Sequence, residues 1–382
     1  MVERVVLYYG PDKGFRDLVN EEIGPEEKTV EFLSLIRKYN YRIRSNDYGT
    51  NDYESSRKPE ADNGVVHAVD FGSAVDHVMS NFAAIVTQAY DVRNLFVQNP
   101  PDRVRASLES AYPDAVEVRE WTYESVGRDD IRRIHRALED GVIGQESGKR
   151  EIALSLYKLH VMGDGTPSVL LFYGPSGVGK TESARCLSDA MGGGLTRVQM
   201  SMMHSTEAYE YIFGAEHSKG SFARDLLSRE SNVVLLDEFD KVRPELYNAF
   251  YQLFDEGVFV DTNYRVDMRG SIFVLTTNFG SESEVEKRLG TAMFSRIGSC
   301  VEFDGLSPDA KRKIAGKYLE RLTARLDDAD RGMIEETDMV DWFLDNAERY
   351  DNMRIMKSKI DRAVFGYLTD RLLEDDDTGA LG

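Results

Sequence analysis

Residues 174–181 read Gly-Pro-Ser-Gly-Val-Gly-Lys-Thr. Gly174, Gly177 and Gly179 let backbone N–H groups close around a phosphate, and a helix starting where the loop ends adds its positive dipole. Lys180 can then reach the β- and γ-phosphates of a nucleotide, and Thr181 can ligate Mg²⁺. Pro175, Ser176, Val178 and Glu182 complete the expected cradle. The apolar run Val169–Tyr173 ahead of the loop reads as a strand, and Glu182–Leu187 behind it reads as a helix.

Such a loop needs a carboxylate for the metal and a base for water. Val233-Val234-Leu235-Leu236-Asp237-Glu238 supplies both. Four apolar residues ending in acids read as a buried parallel strand that delivers carboxylates at its C-terminal edge, where open α/β sheets bind ligands. Asp237 is the expected Mg²⁺ partner and Glu238 the expected base. A third strand, Ser271–Asn278, ends in small polar residues, and Asn278 can orient the water or touch the γ-phosphate.

These residues need a doubly covered parallel sheet behind them, and the chain is long enough for one. Its 382 residues allow two or three domains with sizeable cores, and 41% hydrophobic with 30% charged residues is a globular balance. Lys+Arg total 47 against 67 Asp+Glu, a formal charge of −20. That balance argues against a nucleic-acid partner or an anionic membrane. No apolar stretch reaches membrane-spanning length, and the N-terminus lacks a signal peptide's basic and apolar regions. Two cysteines, Cys186 and Cys300, without metal-ligand spacing, fit a reduced cytoplasm.

The order of these motifs resembles the AAA+ ATPases, specifically Clp-type protein remodellers such as the second ATPase ring of ClpB-like disaggregases. The likeness runs from about Val142 to Leu368. Val142-Ile143-Gly144-Gln145 resembles the family segment that packs on adenine. Residues 174–181 and 233–238 look like its Walker A and Walker B motifs, and Thr277–Ser281 like sensor-1. Phe294-Ser295-Arg296-Ile297 resembles the arginine-finger stretch, which implies that Arg296 reaches the ATP of a neighbouring subunit. Asn352–Lys357 resembles sensor-2, usually Gly-Ala-Arg-Pro-Leu, of which only Arg354 is kept. The resemblance implies an α/β P-loop ATPase subdomain over 126–305, a small helical lid over 306–372, ATP and Mg²⁺ as cofactors, and a homo-oligomeric, hexameric ring. It also implies a protein substrate or partner.

The lid region carries its own helix signals. Ser307-Pro308-Asp309 is a helix start, and Ile314, Tyr318, Leu319, Leu322 and Leu326 recur at helical spacing. Further helices are expected around Trp342–Leu344 and from Met353 to Leu368, with an acidic, disordered tail over 373–382.

One departure from the family stands out. Polypeptide-threading members carry a Gly-Tyr-Val-Gly pore loop between Walker A and Walker B. Here Ile212–Phe222 has no tyrosine after Phe213, and His217 or Lys219 would stand nearest the axis. Phe222 reads as a core anchor. Torsin-like AAA+ proteins, partner-regulated ATPases, are similar in lacking that aromatic.

Residues 1–125 read as a small α/β domain, and the resemblance implies that a domain at this position recruits the substrate or partner. Arg4–Tyr9 is an expected strand followed by a turn over Gly10–Gly14, with no second P-loop. Helices are expected over 28–43 and 73–97, the latter from Val75, Val78, Met79, Phe82, Ile85, Val86, Ala89 and Phe96. A long loop is expected over 45–64, a helix over 102–111 and a strand over 115–121. Two functions follow: an ATP-driven remodeller of a protein partner, or a nucleotide-controlled assembly or signalling switch that does not thread polypeptide.

Overall fold

The protein was studied as a computed structural model, which describes residues 2–47, 58–74, 76–163, 165–202, 206–215 and 220–379. Strands β1 (Arg4–Tyr9), β2 (Thr29–Glu31), β3 (Glu60–Val66), β4 (Asp91–Gln98) and β5 (Val116–Glu120) form the first sheet. They pair in parallel in the order β2-β3-β4-β1-β5. Parallel pairing needs crossovers, so helices cover both faces. Phe15 packs with Val6, Tyr8, Val65 and Phe96 on one face. Leu7, Val66, Leu95 and Val97 meet Phe32, Phe71 and Phe82 on the other.

Several local expectations fail here for one reason. The helix expected over 73–97 stops at Ala89, and Asp91–Gln98 is strand β4, central in the sheet. Val92, Leu95, Phe96 and Val97 are all buried. A strand covered on both faces shows a continuous apolar run, which blends with a preceding amphipathic helix. The helix expected from residue 28 begins at Phe32, because Thr29–Glu31 pairs with β3. Part of the expected loop is β3 itself, and 48–57 lie outside the described residues. The turn after β1 runs directly into a helix, Asp12–Glu22.

The second sheet carries the phosphate loop. It contains β6 (Ser168–Tyr173), β7 (Thr196–Gln199) and β8 (Val233–Asp237). A small antiparallel hairpin, β9 (Val258–Val260) with β10 (Arg265–Asp267), precedes its last two strands, β11 (Ile272–Thr276) and β12 (Ser299–Glu302). The order is β12-β6-β11-β8-β7, all parallel. Alternation sends Leu170, Phe172, Leu235 and Val274 to one face, against Ile134, Leu138, Ile152 and Leu187. Leu171, Leu236, Phe273 and Leu275 go to the other, against an aromatic layer of Phe222, Phe239, Phe250 and Phe259.

Phe222 is fully buried, its ring 4.9 Å from Phe259 and 5.9 Å from Phe250. Phe222→Ala is expected to cost about 3–5 kcal/mol through the cavity it leaves. Denaturant unfolding would measure it, and a loss under about 1 kcal/mol would mean the layer collapses around the gap.

Four helices close the chain: Pro308–Thr323, Asp328–Glu335, Met339–Asp345 and Met353–Gly379. The Ser307 hydroxyl caps the first, accepting from Ala310 N. Leu319, Ile334, Phe343, Met356, Ile360 and Val364 form their common core. The helix Asp328–Glu335 has no counterpart in the sequence reading. The acidic end, expected to be disordered, is helical as far as Gly379. Among the described residues no helix is long and apolar enough to cross a membrane.

The first domain touches the β9–β10 turn and the helix Phe222–Leu227 through hydrogen bonds to main-chain carbonyls. Asp102 N donates to Asn263 O at 2.8 Å, and Arg224 donates to Ala68 O at 3.2 Å. Asn263 in turn donates from Nδ2 to Ala215 O. Ala215 stands at the edge of the stretch where a pore loop would lie, and Glu216–Lys219, including His217 and Lys219, lie outside the described residues.

Candidate nucleotide site

The loop after β6 can hold only glycine at its turn. Gly174 has φ +130°, and a Cβ there would stand 2.1 Å from Phe303 O. Gly177 and Gly179 also have positive φ, +84° and +114°. The helix Lys180–Ala190 starts immediately after, so its free N–H groups face the loop. Pro175 and Ser176 are exposed on the loop's crest, and Val178 is buried beneath it.

Lys180 is almost fully buried. Its Nζ donates to Gly174 O at 2.6 Å, Pro175 O at 2.7 Å and Asn278 Oδ1 at 3.2 Å. Burial pushes its ammonium down to about 8, against the pull of Asp237 and Asp240. Above that pH the free site holds a neutral amine, which cannot pair with phosphate. Below it the charge is present. Nucleotide affinity is therefore expected to fall as pH rises through about 8, by up to about tenfold per unit. Fluorescence titration between pH 7 and 9 measures this, and a flat profile would remove Lys180 from phosphate binding.

The ends of β8 and β11 bring the remaining groups to the same edge. Asp237 is buried, its Oδ1 accepting from the Thr276 hydroxyl and its Oδ2 from Arg197. Glu238 follows in the left-handed region, φ +58°, with its N–H donating to Thr276 Oγ1 at 2.9 Å. A non-glycine residue in that region costs on the order of 1–3 kcal/mol and persists only where surroundings over-determine it. Asn278 is exposed into the cleft. Across it stands Arg354 of the helix Met353–Gly379, its backbone N donating to Asn352 Oδ1. Lys180, Thr181, Asp237, Glu238, Asn278 and Arg354 all line one cleft.

An adjoining cavity of about 380 Å³ is lined by Val142, Ile143, Gly177 and Glu182 of the sheet domain and by Ile314 and Tyr318 of the lid. Gln145 ties its wall in place, exchanging hydrogen bonds with the backbone of Asp304. Glu182 bonds Arg185 at its edge. The two cavities share Gly177, Gly179 and Met353 in their walls, and the second sets Val142, Ile143 and Ile314 among charged residues such as Lys317 and Arg321.

Arg296 is the one expected site residue that lies elsewhere. It lines neither cavity. Its guanidinium pairs with Asp255 and stacks on Tyr251 at 4.3 Å. Conversely, Arg197 and Thr276 reach the cleft, and Tyr318 the adjoining cavity, without having been singled out as site residues. Arg197 alternates with apolar Val198 on an edge strand, a pattern that reads as a solvent face.

The donors suit Mg²⁺. Thr181 and Asp237 offer hard oxygens in one cleft, and Mg²⁺ keeps waters and substrate phosphates as its other ligands. Among the described residues no group of three or more His, Cys, Asp or Glu gathers around a metal position.

A parallel sheet, a phosphate loop after β6 and a carboxylate pair at the end of β8, with β11 between the two strands, define a P-loop nucleotide-binding fold. Residues 166–328 match the AAA domain (Cdc48 subfamily). Chaperone ClpB of Malacoplasma penetrans is 24% identical over 275 residues, 65% of this chain and 39% of that protein. The Clp protease ATP-binding subunit ClpC of Staphylococcus saprophyticus is 25% identical over 311 residues, 69% of this chain and 38% of that protein. The chain thus spans about two fifths of these relatives' length. Its fold is similar to a chain of the closed-state cryo-EM reconstruction of Hsp104 with ATPγS and FITC casein. The TM-score is 0.55 at 14% identity, covering 98% of this chain and 89% of that one. Residues 166–328 thus carry an AAA domain, and over about two thirds of its length the chain is similar to Clp-type ATPases.

Proposed function

We propose that this chain hydrolyses ATP within a six-membered homo-oligomeric ring and uses the energy to remodel a protein partner recruited by residues 1–125. The observation that carries the reading is the convergence of Lys180, Thr181, Asp237, Glu238 and Asn278 with Arg354, a residue of the lid, on one cleft. Water attacks the γ-phosphorus while the bond to the β,γ-bridging oxygen breaks. Glu238 takes the water's proton, and Asn278 orients the water. Lys180 and Arg354 balance the charge of the phosphates. Mg²⁺, held by Thr181 and Asp237, supplies further charge neutralisation when bound. Val142, Ile143, Ile314 and Tyr318 enclose the base. The nucleotide touches both lid and sheet domain, so its hydrolysis changes their relative position. Lys180→Ala is expected to abolish nucleotide binding. Retained tight affinity would refute its role.

The relatives named as chaperones, and the Hsp104 reconstruction with casein, support protein as the substrate class. Free Cys186 and Cys300 support a reducing cytoplasm. The missing tyrosine between Phe213 and Phe222 favours a second reading, a nucleotide-controlled assembly switch. Steady-state ATP hydrolysis with and without casein, under conditions where assembly is verified, separates the two. Clear stimulation supports remodelling. Turnover indifferent to the added chain favours the switch.

A further inference from the structure

Arg197 lies on β7, beside the strand that carries the metal-site aspartate, with Gln199 in register with Asp237. Its guanidinium crosses to that carboxylate. Nε donates to Asp237 Oδ2 at 3.0 Å and Nη2 donates to the same oxygen. Nη2 also reaches Gln199 Oε1 at 2.9 Å. The other oxygen, Oδ1, is taken by Thr276. The carboxylate side chain is 7% exposed and the arginine 44%.

That asymmetry decides what the pair does. A half-exposed arginine contributes little to folding, and β7 is already held to β8 by a parallel ladder. Asp237 needs the pair more. It is a nearly buried anion at the back of a cleft that must admit a polyanion, and a buried charge without a partner is costly. Lys180 cannot serve, since its three donors go to Gly174, Pro175 and Asn278.

We propose that Arg197 is a positioning residue of the nucleotide site, which neutralises Asp237 until the carboxylate exchanges it for the metal. This rests on the reading of Asp237 as a Mg²⁺ ligand. Arg197 then keeps the cleft receptive to triphosphate when Mg²⁺ is scarce, and it sets the affinity of the metal-free state rather than that of the loaded one.

The test is a fluorescence titration of the full chain with a fluorescent ATP analogue, once in EDTA and once with Mg²⁺, for the wild type, Arg197→Gln and Arg197→Lys. Thermal unfolding of each ligand-free protein checks the fold. Arg197→Gln should lose about tenfold in affinity in EDTA and less than about threefold with Mg²⁺. Arg197→Lys, which keeps the charge, should recover most of the loss. Equal loss in both conditions, loss confined to Mg²⁺, or no loss would each overturn the proposal. If the wild type itself binds no nucleotide in either condition, the reading of the cleft fails and takes this inference with it.

Discussion

Glu238→Gln is expected to bind ATP within about threefold of the wild type and to hydrolyse it about 10²–10⁴-fold more slowly, the span general bases supply. The substitution keeps the side chain's size and removes its ability to take a proton. Glu238 follows directly on Asp237 and is turned into the cleft by its left-handed backbone, φ +58°. Thr276 enforces that conformation, since one hydroxyl both accepts from Glu238 N and donates to Asp237. Among the described residues no cation stands within ion-pairing distance of the Glu238 carboxylate, so its lone pairs are available to water. Single-turnover hydrolysis measured beside equilibrium binding separates the two effects. Turnover within tenfold of the wild type would move the base elsewhere. Asp240 would be the next candidate, because its buried Oδ1 has no partner among the described residues.

The parts of this site that could be read in the sequence are those built from contiguous residues. The phosphate loop is a single turn whose glycines are dictated locally, as the 2.1 Å clash at Gly174 illustrates. The Asp237-Glu238 pair ends an apolar run that only a buried parallel strand explains. Arg197 carried no such mark. Its role arises from the pairing of β7 with β8, a tertiary fact that a lone arginine beside valine does not encode. Tyr318 read as one apolar position of an amphipathic helix, and only the docking of the lid turns it toward the base cavity. The first domain misled at β4 for the opposite reason. Burial on both faces erased the alternation that marks a strand, and Phe82–Ala89 ahead of it extended the apparent helix.

Arg296→Ala is expected to lower turnover by about 10³-fold or more while leaving ATP affinity unchanged, the signature of an arginine that acts on a neighbour's transition state. Within its own chain the side chain cannot serve the cleft. Nε and Nη2 donate to Asp255 Oδ2 at 2.9 and 2.7 Å, Nη1 donates to Ala292 O, and the Tyr251 ring lies against the plane. These contacts hold the guanidinium at a partly exposed position, 24% accessible. An exposed pair of this kind is worth about 1 kcal/mol or less, so a γ-phosphate presented by an adjoining subunit can outcompete Asp255. Mixed rings give the decisive measurement. Lys180→Ala subunits keep Arg296 but lose their own nucleotide, whereas Arg296→Ala subunits keep the nucleotide but offer no finger. Each alone should be inactive. Randomly mixed in equal amounts, about one site in four pairs an intact cleft with an intact Arg296, so activity should recover toward about a quarter of the wild type. Recovery requires that the arginine cross a subunit boundary. Verified mixed rings that stay inactive would return Arg296 to a structural role beside Asp255.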